Sequence, residues 1–207
     1  MNRPQVYVIG DSISIHYGPY LQSLLDPHFA YDRKGGAGNT ELNSYGHDGP
    51  NCGDSNATLA FVKRLLDERP DWRPDLLLLN CGLHDVKTSP RTGTRQVPLE
   101  QYVANLRQMA QLLKARGVRV AWIRLTPVVD HIHNGRNSEF HRFAADVEAY
   151  NAAADAHAAA AGWDLLDLHG LTKACGERAY CDHVHFVEPV RALQAQYLAW
   201  QVGNLLA

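Results

Sequence analysis

Apolar positions along the chain alternate between two kinds of pattern. Gln5–Ile9 is a short run ending at Gly10, and Leu76–Leu79 is four leucines in succession. Unbroken runs of this length suit strands buried on both faces. Val118–Leu125 and Trp163–Leu168 have the same character, and Phe29–Asp32 is a weaker case. Between the runs the apolar spacing becomes helical. Leu59, Val62, Leu65 and Leu66 share one face, as do Val103, Leu106, Ala110 and Leu113, with Gly117 placed as a C-cap. Phe140–Ala161 is alanine-rich and predicts a helix ending at Gly162. Val187–Leu206 predicts a final amphipathic helix, with Pro189 tolerated in its first turn. Strands alternating with helices imply an α/β fold, a three-layer α/β/α sandwich with a central parallel sheet. No linker, repeat or low-complexity stretch interrupts residues 1–207, which read as a single domain.

Composition narrows the class. The 207 residues are 45% hydrophobic and 20% charged, with a formal charge of -2. These are the proportions of a globular protein, and they give no electrostatic reason to expect nucleic acid or an anionic membrane as partner. No apolar run approaches the roughly 18 residues needed to span a bilayer. Met1-Asn2-Arg3-Pro4 leads straight into the first strand without a signal-peptide pattern, so the expected location is cytoplasmic. Cys52, Cys81, Cys175 and Cys181 form no C-x-x-C pair, which removes zinc-ribbon and thioredoxin chemistry. Cys52 and Cys81 read as small buried thiols. Cys175 and Cys181 flank a short loop they could bridge, although a reducing compartment favours free thiols.

In parallel α/β sheets, sites form where loops leave the C-terminal ends of strands. The chemically capable residues fall there. Ser12 follows the first run, His84-Asp85 follow Leu76–Leu79, and Asp182-His183-Val184-His185 precede the last helix. A serine hydroxyl needs a base within reach and a third group to orient that base. Asp182 and His185, three apart, can lie on one face of a turn, leaving the second imidazole nitrogen to Ser12. A developing oxyanion needs donors. Candidates are the Ser12 amide, the Gly53 amide just ahead of the helix bearing Leu59, and His84. None of this requires a metal or other cofactor.

Taken together, four blocks resemble the SGNH (GDSL-type) hydrolases over nearly the whole chain. Gly10-Asp11-Ser12-Ile13 matches the family's N-terminal motif and implies Ser12 as nucleophile, with Asp11 supporting it. Gly53 matches the second block and implies an oxyanion-hole amide. Gly82-Leu83-His84-Asp85 falls where the family usually has G-x-N-D, and it is similar to a variant branch with histidine there. Asp182 and His185 match the closing D-x-x-H and imply the acid and the base. The resemblance implies a flavodoxin-like sandwich and hydrolysis of esters, thioesters or O-acetyl groups. His84 departs from the pattern. A neutral imidazole can donate one N–H to an oxyanion, whereas a cation there would depress the pKa of His185. Asp85 is expected to brace its loop.

Plainer readings exist for each residue. Ser12 could cap the following helix, Gly53 could be a turn glycine, and Asp182 could cap its own loop. His183 competes with His185, and His84 could be structural. His131, His133 and His141 suggest a metal-dependent hydrolase as an alternative, or else a solvated loop beside the cleft. A non-catalytic carbohydrate-binding module on the same fold is a further alternative. The polar loop Lys87–Pro98 suits contact with a sugar-like alcohol or simple solvation. No greasy lid is evident, so the expected substrate is a small-molecule or carbohydrate ester of a short acyl group such as acetyl.

Overall fold

The computed structural model describes residues 3–207; Met1 and Asn2, part of the N-terminal segment considered above, lie outside them. Five strands form one sheet: β1 (Gln5–Ile9), β2 (Ala30–Arg33), β3 (Leu76–Leu79), β4 (Val120–Ile123) and β5 (Asp164–Leu166). Every pairing is parallel, and the strand order is β2-β1-β3-β4-β5. All four β3 leucines and all four β4 residues are buried, because helices cover both sheet faces.

The helices are α1 (Ser12–Leu25), α2 (Ser55–Glu68), α3 (Leu99–Ala115), α4 (Asp130–Arg136), α5 (Ala144–Ala161), α6 (Leu168–Lys173) and α7 (Glu188–Leu206). The crossover through α1 runs in the opposite direction across the sheet to those through α2, α3 and α5. Right-handed crossovers therefore put α1 on the opposite face from the other three. The packing agrees, since α1 lies against α7 and α7 against α6, while α2 packs on α3 and α3 on α5. The result is a three-layer α/β/α sandwich. Its chain reverses direction between β1 and β3, where such folds open a crevice at the strands' carboxyl ends.

Several elements differ from their sequence-based bounds. β4 and β5 are shorter than Val118–Leu125 and Trp163–Leu168, and α6 begins at Leu168. The stretch expected as a solvated loop at residues 130–136 is helix α4, with His133 fully buried. The alanine-rich helix starts at Ala144 rather than Phe140. His141 instead exchanges backbone hydrogen bonds with Thr88, each 2.8 Å. That bridge peels residues 140–143 away from α5 and turns them toward the carboxyl end of the sheet. Cys175 and Cys181 are free thiols, donating to Leu171 O and Phe186 O respectively.

Two buried cations anchor the turn after β1. Arg33, at the end of β2, donates through Nη1 to Ser14 O (2.9 Å) and through Nη2 to Ser14 Oγ (3.0 Å) and Pro50 O (3.2 Å). Lys34 donates to Gly46 O (2.6 Å) and Gly49 O. Each charge is thereby met by carbonyl and hydroxyl oxygens. The residue 35–50 loop is tied to the first turn of α1.

Candidate active site

The chain leaves β1 through Gly10, and only glycine fits there: a Cβ would approach Ser14 Cβ and Oγ to 2.8 Å. Asp11, not Ser12, caps α1, its Oδ1 accepting from the Ile13 amide at 3.0 Å. Ser12 is the first helical residue, so its side chain is left free of capping and its amide lies at the positive end of α1. Asp11 is 1% exposed, and its Oδ2 has no partner among the described residues. Burial pushes its carboxyl up from the ordinary value.

The second loop comes from the other end of the chain. Tyr180 and Phe186 form an antiparallel bridge, and Cys181 N donates to His185 O at 2.9 Å. Inside this short loop Asp182 Oδ1 accepts from the amides of Val184 (2.8 Å) and His185 (2.7 Å). Its Oδ2 lies 2.7 Å from His185 Nδ1, and His185 Nε2 lies 2.8 Å from Ser12 Oγ. Burial would raise the Asp182 carboxyl, but the two amides and the His185 ring outweigh it and hold it well below the usual carboxylate range. An ionised Asp182 fixes the proton of neutral His185 on Nδ1, leaving Nε2 as the acceptor for the Ser12 hydroxyl. His183 takes the other side of the loop, packing edge-on against His133 with centroids 4.9 Å apart. It is His185 that reaches Ser12.

The β3 and α2 loops close the third side. Gly53 adopts φ +69°, a conformation that glycine enters without cost. Its amide donates to Asn51 Oδ1 at 3.0 Å. Asp54 caps α2 through Ala57 N. Asp85, fully buried, accepts from the Ser55 amide at 2.9 Å and from Ser55 Oγ, so it latches the β3 loop to the start of α2. Burial raises its carboxyl to about 7, partly offset by those Ser55 bonds. His84 is 7% exposed, with no side-chain hydrogen bond among the described residues. Burial, then the charges of Lys87 and Arg142, hold its pKa well below the ordinary histidine value. It is therefore neutral at pH 7, with one ring N–H available.

These loops enclose a cleft of about 490 Å³ lined by Ser12, Asn51, His84, Lys87, Arg142 and His185, among others. Gly53 does not line it, although its neighbour Asn51 does. Sequence patterning missed Arg142, which lies inside the expected alanine-rich helix and carries no local signal of a cleft position. The three histidines of the metal alternative do not gather. His131 Nε2 faces Glu177 at the surface (3.3 Å), and His141 borders a different depression with Thr88 and Asp146. His133 has Nδ1 on Asn134 Oδ1 and Nε2 on the Arg142 guanidinium. Among the described residues no three His, Cys, Asp or Glu side chains are placed to hold a metal ion. The alternative loses its ligand set.

Comparison with known proteins follows the same lines. No curated protein matches the chain in sequence. Among solved structures, a lipase/acylhydrolase from Enterococcus faecalis superposes with TM-score 0.70 at 15% identity, covering 97% of this chain and 96% of that one. The esterase EstA from a Pseudoalteromonas species, inhibited by monoethylphosphonate, gives 0.67 at 14% identity, with 98% of each chain covered. A GDSL-like lipase from Bacteroides thetaiotaomicron gives 0.65 at 15% identity, covering 96% of this chain and 86% of that one. At these identities the likeness is one of fold. The sequence model of the GDSL-like lipase/acylhydrolase family matches residues 8–188, from the middle of β1 to the start of α7. The chain thus belongs to the GDSL-like lipase/acylhydrolase family and is a carboxylic ester hydrolase.

Proposed function

We propose that the protein hydrolyses esters of short acyl groups, acetyl foremost, through a covalent acyl-enzyme on Ser12. The observation that carries this is the unbroken relay from Asp182 Oδ2 to His185 Nδ1 (2.7 Å) and from His185 Nε2 to Ser12 Oγ (2.8 Å). As Oγ bonds to the ester carbonyl carbon, its proton passes to His185 Nε2, and Asp182 stabilises the imidazolium. The carbonyl oxygen becomes an oxyanion facing the Ser12 amide and the His84 ring N–H. The Gly53 amide donates to Asn51 Oδ1 at 3.0 Å in the resting site, so it serves as a further donor only where the oxyanion displaces that oxygen. His185 then gives its proton to the departing alcohol. Water, deprotonated by the same nitrogen, releases the acid and restores Ser12.

The polar lining, with Asn43, Asn51, Asn137 and Lys87, suits a hydrophilic alcohol such as a sugar better than a long acyl chain. An intact relay also argues against the non-catalytic binding module, which has no use for a base aligned on a serine. Turnover of p-nitrophenyl acetate, unaffected by EDTA, tests the activity; a protein inert toward all short p-nitrophenyl esters contradicts it. Within that activity, His84→Ala lowers kcat by about a hundredfold, the usual cost of one oxyanion donor. His84→Asn recovers most of the loss, because an amide N–H replaces the ring N–H. A full rate in His84→Ala would remove His84 from the oxyanion hole.

A further inference from the structure

The cleft that holds Ser12 also holds two cations that touch no carboxylate. Arg142 is 3% exposed. Its Nε donates to Leu83 O (2.5 Å) and its Nη1 to His133 Nε2 (2.8 Å), both neutral acceptors. Nη2 has no hydrogen-bond partner among the described residues, yet it is not sealed off, and Arg142 lines the cleft. Lys87, half-buried on the β3 loop whose Thr88 pairs with His141, has neither a side-chain hydrogen bond nor an ion pair among the described residues. Its Nζ lies 4.6 Å from the Phe140 ring centroid, and Arg142 Cζ lies 4.9 Å from the same ring.

Carboxylates nearby do not discharge the pair. Asp182 is committed to His185. Glu139 is exposed at the rim. The Asp11 charge acts on both cations and the Asp54 charge on Lys87, but neither touches them, and Asp54 is engaged by Gln96 and the Ala57 amide. Arg33 shows the contrast, since its guanidinium nitrogens all end on oxygens within the fold. A buried cation with no carboxylate in contact is unfavourable, and an open donor on it is an invitation to an anion. Burial, with the Arg142 charge second, lowers the Lys87 ammonium to about 8, so it still carries its charge at pH 7.

We infer that Arg142 and Lys87 form an anion subsite beside Ser12, and that the ester the protein takes bears an anionic group such as a carboxylate. The inference rests on hydrolysis at Ser12 and deepens it. Nη2 offers a fixed, directional donor, while Nζ adds a mobile point charge that Phe140 keeps near the cleft.

Two substrate pairs test this, one for each side of the ester. On the acyl side, mono-4-nitrophenyl succinate is compared with 4-nitrophenyl butyrate. On the alcohol side, 3-carboxyphenyl acetate is compared with phenyl acetate. At least one anionic member is expected to exceed its neutral counterpart about tenfold in kcat/KM, the effect of one charge-assisted contact. That ratio shrinks between 20 and 500 mM salt by screening, and it falls at least about fivefold in Lys87→Gln and in Arg142→Lys. Lys87→Gln is the primary variant, because the ammonium makes no hydrogen bond or ion pair among the described residues for the fold to lose, only its contact with the Phe140 ring. Titration of the same pairs into Ser12→Ala protein reads binding without turnover. Anionic preference in binding with no turnover by the native protein would leave the subsite standing and sink the hydrolytic role. Turnover without preference in either pair, or equal losses on charged and neutral esters in Lys87→Gln, would overturn the subsite alone.

Discussion

Replacing Ser12 or His185 by alanine lowers kcat on p-nitrophenyl acetate by at least about a thousandfold, while the protein keeps its fold. The expectation comes from the 2.8 Å contact between Ser12 Oγ and His185 Nε2. Without Oγ there is no atom to carry the acyl group; without the imidazole, the hydroxyl stays a weak nucleophile and the leaving alcohol goes unprotonated. Neither change removes a structural bond of consequence. The cap of α1 belongs to Asp11, and the His185 backbone still donates to Asp182 after the ring is gone. The double variant should fall no further than either single one, because residues acting as a unit are not additive. Steady-state rates with circular dichroism of the purified variants check this; near-normal activity in either would remove it from the mechanism.

The second large effect concerns Asp182. Asp182→Asn lowers kcat by about a hundredfold to ten-thousandfold with little change in stability. Asparagine Oδ1 can still accept the Val184 and His185 amides that shape the loop. Its Nδ2 then faces His185 Nδ1 where a carboxylate oxygen stood, and it donates instead of accepting. The ring responds by moving its proton to Nε2, which can no longer take the Ser12 proton. Thermal unfolding beside kcat separates the two contributions. A variant that unfolds near the parent's Tm and loses rate fits the orienting role, whereas one that keeps its rate does not.

The regular parts of the fold were legible because burial on both faces leaves a plain signature. β1 and β3 occupy the residues their apolar runs predict, and Gly162 ends α5 where the helix was expected to stop. The segment from Asp130 to Phe143 was not legible. The histidine-bearing stretch read as a solvated loop, yet α4 runs through Gly135 and stops only at Arg136. The alanine content beyond Phe140 suggested a helix, yet the Thr88–His141 backbone bridge competes successfully for residues 140–143. Both outcomes depend on partners far away in sequence, which local propensity does not see.

The same division holds at the site. Asp182 and His185 were readable as a pair because a three-residue offset in a tight loop brings them together regardless of the rest of the chain. Ser12 was readable as the residue at the end of a buried strand. The charge state of His84 was open in the sequence, and its burial beside Lys87 and Arg142 is what favours the neutral ring. Arg142 gave no sign, since its guanidinium is placed by a carbonyl 59 positions away, at Leu83. Gly53 was expected as a plain oxyanion donor, and its amide proves already engaged by Asn51.

Covalent labelling tests the central claim most directly. The protein is incubated with a phosphonofluoridate, then digested and its peptides weighed. A hydroxyl activated by the His185–Asp182 relay displaces fluoride, so the account predicts one adduct per chain, on Ser12, forming in step with loss of esterase activity. Labelling should slow by orders of magnitude in His185→Ala. An adduct on another serine, or esterase activity that persists with Ser12 unlabelled, would contradict it.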